Sequence, residues 1–136
     1  MKTYPAVIAW SESDKVFEVD FPDIPGCFTY GETLEDAKAQ AADVLALMLE
    51  EAESFPAALP RSGPDVHEIE LDSSLVFAIW LRSMRRTSGM TLTDVADKLG
   101  VKYQVYQRLE DPAKTNPTLK TISKLEKVFG SCLIAV

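Results

Sequence analysis

The spacing of apolar residues changes at Ser73, and this change constrains the fold more than any other feature of the 136-residue chain. Before it, segments such as Val16 to Phe21 and Val66 to Leu71 alternate apolar with polar residues, the two-residue repeat of a strand with one face in water, around a single helical stripe. After it apolar residues recur every three or four positions, as on one face of a helix. One sheet or one bundle does not satisfy both repeats. Two units are therefore expected, residues 1–72 as a mixed α+β layer and residues 73–136 as an all-helical unit with a short terminal strand.

Within the first unit, Tyr4 to Trp10 is apolar on both alternating faces, which suits an inner strand. Val16 to Phe21 alternates, with Phe17, Val19 and Phe21 opposed by Glu18 and Asp20, so one side is expected in water. Pro22-Asp23-Ile24-Pro25-Gly26 is a rigid turn leading to a short strand, Cys27 to Tyr30, which stops at Gly31. Thr33 is a good helix N-cap with Glu35 and Asp36 in the first turn, where carboxylates favour the helix dipole. Leu34, Ala37, Ala41, Val44, Leu45, Met48 and Ala52 form one stripe, predicting a helix to about Glu53 with that face on the sheet. Ala39, Ala42, Ala46 and Leu47 widen its apolar surface, leaving room for contact with a second subunit. Prolines at 56, 60 and 64 make the next stretch irregular, and Val66 to Leu71 alternates as a fourth strand. The expected order is βββαβ on a single sheet.

In the second unit, Ser73 or Ser74 caps a helix running to Arg86, which Ser88-Gly89 ends. Helices follow over Thr91 to Leu99, closed by Gly100, and over Lys102 to Glu110. After a loop bounded by Pro112 and Pro117, a fourth spans Thr118 to Phe129 and stops at Gly130. The apolar tail Cys132 to Val136 reads as a strand and as a candidate dimer edge.

Charge follows the same division. Residues 1–72 hold sixteen acids against four bases, a net −12, whereas residues 73–136 hold ten bases against five acids, a net +5. Surface charge steers partners over roughly 10 Å at about 0.1 M salt, so a polyanion is repelled by the first half and attracted by the second. With Cys27, Cys132 and His67 as the whole Cys/His inventory, no zinc site or disulfide framework is expected. A Cys27–His67 nucleophile is disfavoured because Cys27 sits in an apolar run, where a thiol is usually buried and inert. No apolar stretch reaches the ~20 residues of a membrane span, and the N-terminus lacks a signal-peptide pattern, so a cytoplasmic protein without metal or cofactor is expected.

The constellation that points most directly to function runs from Leu92 to Leu109. Small Ala96 permits close approach of a second helix, Gly100 permits a left-handed turn, and Val95, Leu99, Val101, Tyr106 and Leu109 are expected to fill a shared core. This pattern, continuing through Glu110, Thr115-Asn116-Pro117-Thr118-Leu119 and Val128-Phe129-Gly130, closely resembles the helix-turn-helix of the phage-repressor-like (Xre/Cro) family over about 40 residues. The resemblance implies that Lys102, Tyr103, Gln104, Gln107 and Arg108 face the DNA major groove, where Gln pairs with adenine and Arg with guanine. Thr93, Lys114 and Asn116 are then placed nearer the phosphates. The family often has Gln at the position of Thr93 and Ser or Thr at that of Lys102.

A second set of residues lies in the acidic half: Phe21-Pro22-Asp23-Ile24-Pro25-Gly26-Cys27, then Gly31-Glu32-Thr33-Leu34-Glu35-Asp36-Ala37, and a proline-rich segment ending at Pro60. Over residues 3–71 this resembles the HicB antitoxin family, with Glu32 and Asp36 where Asp and Glu are usual. The resemblance implies a partial RNase H-like N-terminal domain followed by a DNA-binding domain. It further implies a partner, a HicA-type toxin ribonuclease that cleaves mRNA, together with operator DNA. A −12 surface complements the basic face expected of an RNA-cutting protein. The expected assembly is a homodimer or a dimer of dimers, with no enzymatic activity of its own.

Two alternatives remain at the level of sequence. In one, Asp20, Asp23, Glu35 or Asp36 gathers Mg²⁺ for phosphodiester hydrolysis, against which stand the turn position of Asp23 and the helix-start positions of Glu35 and Asp36. In the other, the chain is a stand-alone repressor whose first domain oligomerises or senses a ligand.

Overall fold

The computed structural model describes residues 2–133. It divides into two compact units, Met1–Glu51 with Pro56–Asp72, and Ala52–Phe55 with Ser73–Val136.

In the first unit, β1 (Thr3–Ser11), β2 (Val16–Asp20), β3 (Phe28–Gly31) and β4 (Val66–Glu70) form one antiparallel sheet in the order β3-β2-β1-β4. β1 is inner, as its two apolar faces predict. Its register places Ile8 opposite Val19 and Tyr4 opposite Ile69. Tyr4, Ala6, Ile8, Val19 and Ile69 are buried on one face, and helix α1 (Leu34–Leu49) packs over the sheet. Thr33 caps α1 by accepting from the Asp36 amide, and the Asp36 carboxylate accepts from the Glu32 amide at 3.1 Å. Gly31 is where helix and sheet come closest: a Cβ there would lie 2.3 Å from the Ala37 backbone nitrogen, so only hydrogen fits.

The helix departs from expectation at its far end. It stops at Leu49 rather than near Glu53, and its buried stripe is Ala37, Ala41, Leu45 and Leu49, a strict four-residue step. Met48, expected in the core, is 42% exposed, and Leu47 is exposed as well. Ala52 has left the helix and belongs to the second unit. Glu50, Glu51 and Glu53 would place three like charges at the negative end of the helix dipole, where no basic residue compensates in the last turn. The irregular segment that follows is tied back by the Tyr4 hydroxyl, which donates to the Pro56 carbonyl at 2.9 Å, and by Arg61, which pairs with Asp23 at 2.9 Å.

The second unit contains α2 (Ser73–Thr87), α3 (Leu92–Leu99), α4 (Tyr103–Leu109) and α5 (Leu119–Phe129). Phe77, Trp80, Leu81, Val95, Ala96, Tyr106 and Leu125 form its core, with Met84, Ile122 and Phe129 packed against it. The Trp80 and Phe129 rings meet edge-to-face at 5.9 Å between centroids, a favoured aromatic geometry. Thr118 caps α5 and Gly130 ends it at φ 66°. The terminal strand expected over Cys132–Val136 lies largely outside the described residues. Cys132 and Leu133, which are described, are not in a strand; the Leu133 amide donates to the Glu126 carboxylate at 2.8 Å.

Candidate nucleic-acid interface

The local sequence accounts for how α3 and α4 are set. Thr91 and Asp94 form a capping box: the Thr91 hydroxyl accepts from the Asp94 amide while the Asp94 carboxylate accepts from the Thr91 amide. These bonds hold the Asp94 carboxyl below its usual range. α3 ends at Gly100, whose φ of 73° favours glycine. There the Gly100 amide donates to Asp97 and the Val101 amide to Ala96, closing the last turn before the chain re-enters α4. Val95 and Ala96 from α3 and Tyr106 from α4 are buried together, as the motif predicts. Val101 is not; it sits in the turn and is 37% exposed, because reversal through Gly100 carries it outward.

A buried polar cluster, not anticipated from sequence, anchors α4 to α2. Glu110, only 8% exposed, accepts from Arg85 Nε at 2.7 Å and Nη2 at 3.1 Å and from the Tyr106 hydroxyl at 2.6 Å. Arg82 donates twice to the Glu110 backbone carbonyl, at 2.8 and 3.1 Å, and once to the Ala52 carbonyl at 2.8 Å. Burial, followed by the hydrogen bond to Glu110, pushes the Tyr106 hydroxyl pKa far up, so it stays a donor. Two of the ten bases counted in this half are therefore structural. The i, i+4 spacing of Tyr106 and Glu110 was the available signal; the Arg85 contact joins residues 25 apart and had none.

With Tyr106 turned inward, the 100° step per residue points Gln104 and Arg108 most directly away from the core. Lys102, Tyr103, Gln104, Gln107 and Arg108 are all exposed, so the structure brings this predicted set together on one surface of α4 and its entry turn. Thr93 on α3 and Lys114 and Asn116 in the following loop are also exposed, with Lys114 4.0 Å from Asp111. Val105, 46% exposed on α4 beside these polar residues, was absent from the predicted set. Such a surface offers amide and guanidinium groups for paired hydrogen bonds, an apolar methyl patch, and lysines for phosphates.

In the first unit, Cys27 is fully buried, and burial together with the nearby Asp20 charge pushes its thiol up to about 11. It stays protonated at neutral pH and lacks the thiolate of a nucleophile. Of the four carboxylates weighed for metal chemistry, Asp23 is held by Arg61 and Asp36 accepts from the Glu32 amide. Among the described residues no group of three or more His, Cys, Asp or Glu is placed to hold a metal ion, and no helix is long and apolar enough to cross a membrane.

Among the described residues, the chain combines a unit of one antiparallel sheet and one helix with a unit of four helices. Residues 4–120 match the family described as HicB-like antitoxin of bacterial toxin-antitoxin systems, and the chain belongs to that family. A relative from Photorhabdus laumondii subsp. laumondii, Antitoxin HicB 1, is 27% identical over 128 residues, covering 93% of this chain and 81% of the relative.

Proposed function

We propose that the chain is the antitoxin of a type II toxin-antitoxin pair: residues 1–72 neutralise a HicA-type mRNA-cleaving toxin, and residues 73–136 repress the operon through a helix-turn-helix. The observation that carries this reading is the charge division: with Glu53 counted in the helical unit to which it belongs, the sheet unit carries −11 and the helical unit +4. Complementary potential speeds encounter with a basic ribonuclease on one side and with phosphates on the other. α3 and α4 serve as the helix pair, with Lys102, Tyr103, Gln104, Gln107 and Arg108 toward the major groove and Thr93, Lys114 and Asn116 toward the backbone. Occlusion of the toxin's RNA face inhibits it, and a dimer presents two reading helices to a repeated or palindromic operator.

Co-expression with a small toxin gene adjacent to this one tests the first half: growth rescue and co-purification are expected, and toxicity unrelieved by the chain refutes it. Binding to its own promoter tests the second. Gln104→Ala and Arg108→Ala should each weaken specific binding by about 1–3 kcal/mol. Unchanged promoter affinity in both variants removes α4 from the interface.

A further inference from the structure

The sheet has a second face, the one turned away from α1, and its residues follow from the register. Thr3, Pro5, Val7 and Ala9 of β1, Val16, Glu18 and Asp20 of β2, Phe28 and Tyr30 of β3, and Val66, Glu68 and Glu70 of β4 point to it. Four of these side chains are carboxylates and none is basic. Phe28 and Tyr30 are 69% and 64% exposed, large apolar surfaces held in water on an edge strand. Together with Val7, Ala9 and Val16 they line a groove of about 750 Å³.

Pairing across the strands gives this groove a repeated unit. Ala9 stands opposite Glu18, and Glu18 opposite Tyr30; one step along, Val7 stands opposite Asp20, and Asp20 opposite Phe28. Each row reads aliphatic, carboxylate, aromatic, and the rows lie about 7 Å apart along the strand. Glu18 forms no ion pair with a described residue, and Arg61, whose charge Asp20 feels, is held 2.9 Å from Asp23. A carboxylate beside an exposed ring suits a guanidinium: the charge pairs with the oxygens while the flat group stacks on the ring face.

We propose that this sheet face is the toxin-docking surface, and that it takes two arginine or lysine side chains from the toxin's basic RNA-binding face, one in each row. The proposal rests on the antitoxin reading for the identity of its partner. It differs from a general acidic attraction in that the rings and the carboxylates act together at named positions. Since all four side chains are exposed, their replacement leaves the α1-covered core intact.

The test uses the full chain and its Glu18→Gln/Asp20→Asn and Phe28→Ser/Tyr30→Ser variants, with thermal unfolding confirming that each folds. Affinity is measured by calorimetry for a catalytically inactivated, co-encoded HicA-type toxin, and, by NMR, for an Arg-Ala-Arg-Ala-Arg peptide as a cationic probe. Each double variant is expected to bind the toxin at least tenfold more weakly than the parent, with the aromatic pair's loss persisting at high salt. A parent that binds the toxin and variants that bind it equally overturn the docking surface and leave the antitoxin reading standing. If the parent binds no toxin but the peptide shifts Tyr30 and Phe28 resonances, the antitoxin reading fails and the cation-binding face stands. A parent that binds neither overturns the proposal. So does a parent dimer that the variants dissociate, since the face then serves a second copy of this chain.

Discussion

The two units are held together by different kinds of information. The sheet unit depends on distant pairing: β1 at the start of the chain is bonded to β4 more than fifty residues later, and the Leu71 amide reaches the Lys2 carbonyl at 2.9 Å. The helical unit is assembled from neighbours, with caps at Thr91 and Thr118 and left-handed glycines at 100 and 130 that define its elements one after another. Its non-local contacts include the Trp80–Phe129 ring pair in the core and a polar device, the Arg85–Glu110–Tyr106 cluster. The difference teaches where each unit is vulnerable, and the following variants exploit it.

The largest effect is expected from Glu110→Ala. It leaves the Arg85 guanidinium partly buried without its carboxylate, which costs about 3 kcal/mol. Denaturant unfolding followed by Trp80 fluorescence in a Trp10→Phe background reports the helical unit alone, and a shift under about 1 kcal/mol shows that the cluster is dispensable. Gly31→Ala comes next. Its Cβ meets backbone of Ala37, which does not yield as a side chain would, so the sheet unit should lose about 2 kcal/mol while the Trp80 transition stays put. Hydrogen exchange at β2 and β3 amides reads this loss, and unchanged protection means α1 has moved aside at no cost.

Thr91→Ala removes one half of the capping box and should cost the helical unit about 1 kcal/mol, measured in the same Trp80 assay. Smallest at neutral pH is the effect of Cys27. Its thiol ionises near 9 when unfolded and about 11 when folded, so the unfolded chain loses its proton first and the sheet unit loses stability as pH rises through that window. A Cys27→Ala variant should show a shallower alkaline slope. In a thiol-labelling time course at neutral pH, exposed Cys132 should react at once and Cys27 only through opening; equal rates at the two would contradict the burial described.

The outward direction of Gln104 and Arg108 was legible in the sequence because it depends on the phase of a short helix, and one inward residue, Tyr106, sets that phase for both. Val101 was misplaced because a glycine turn shifts phase by an amount that spacing does not encode. The choice of Leu49 over Met48 for the core was decided by the track of α1 across the sheet, since both residues are apolar and lie within the same turn. The rows on the open sheet face were illegible for a stronger reason: Glu18 and Tyr30 are separated by a proline turn, and only the strand register makes them neighbours.

Taken alone, the sequence determined the order of elements, their caps and turns, the two-unit division of charge and the family resemblance, because these rest on interactions within a few residues or on composition. Tertiary structure alone decided which of several apolar residues is covered, which arginines are spent inside, and which carboxylates stand beside exposed rings. Those outcomes depend on distances between segments remote in the chain, and such distances are settled only when the sheet registers and the helices pack.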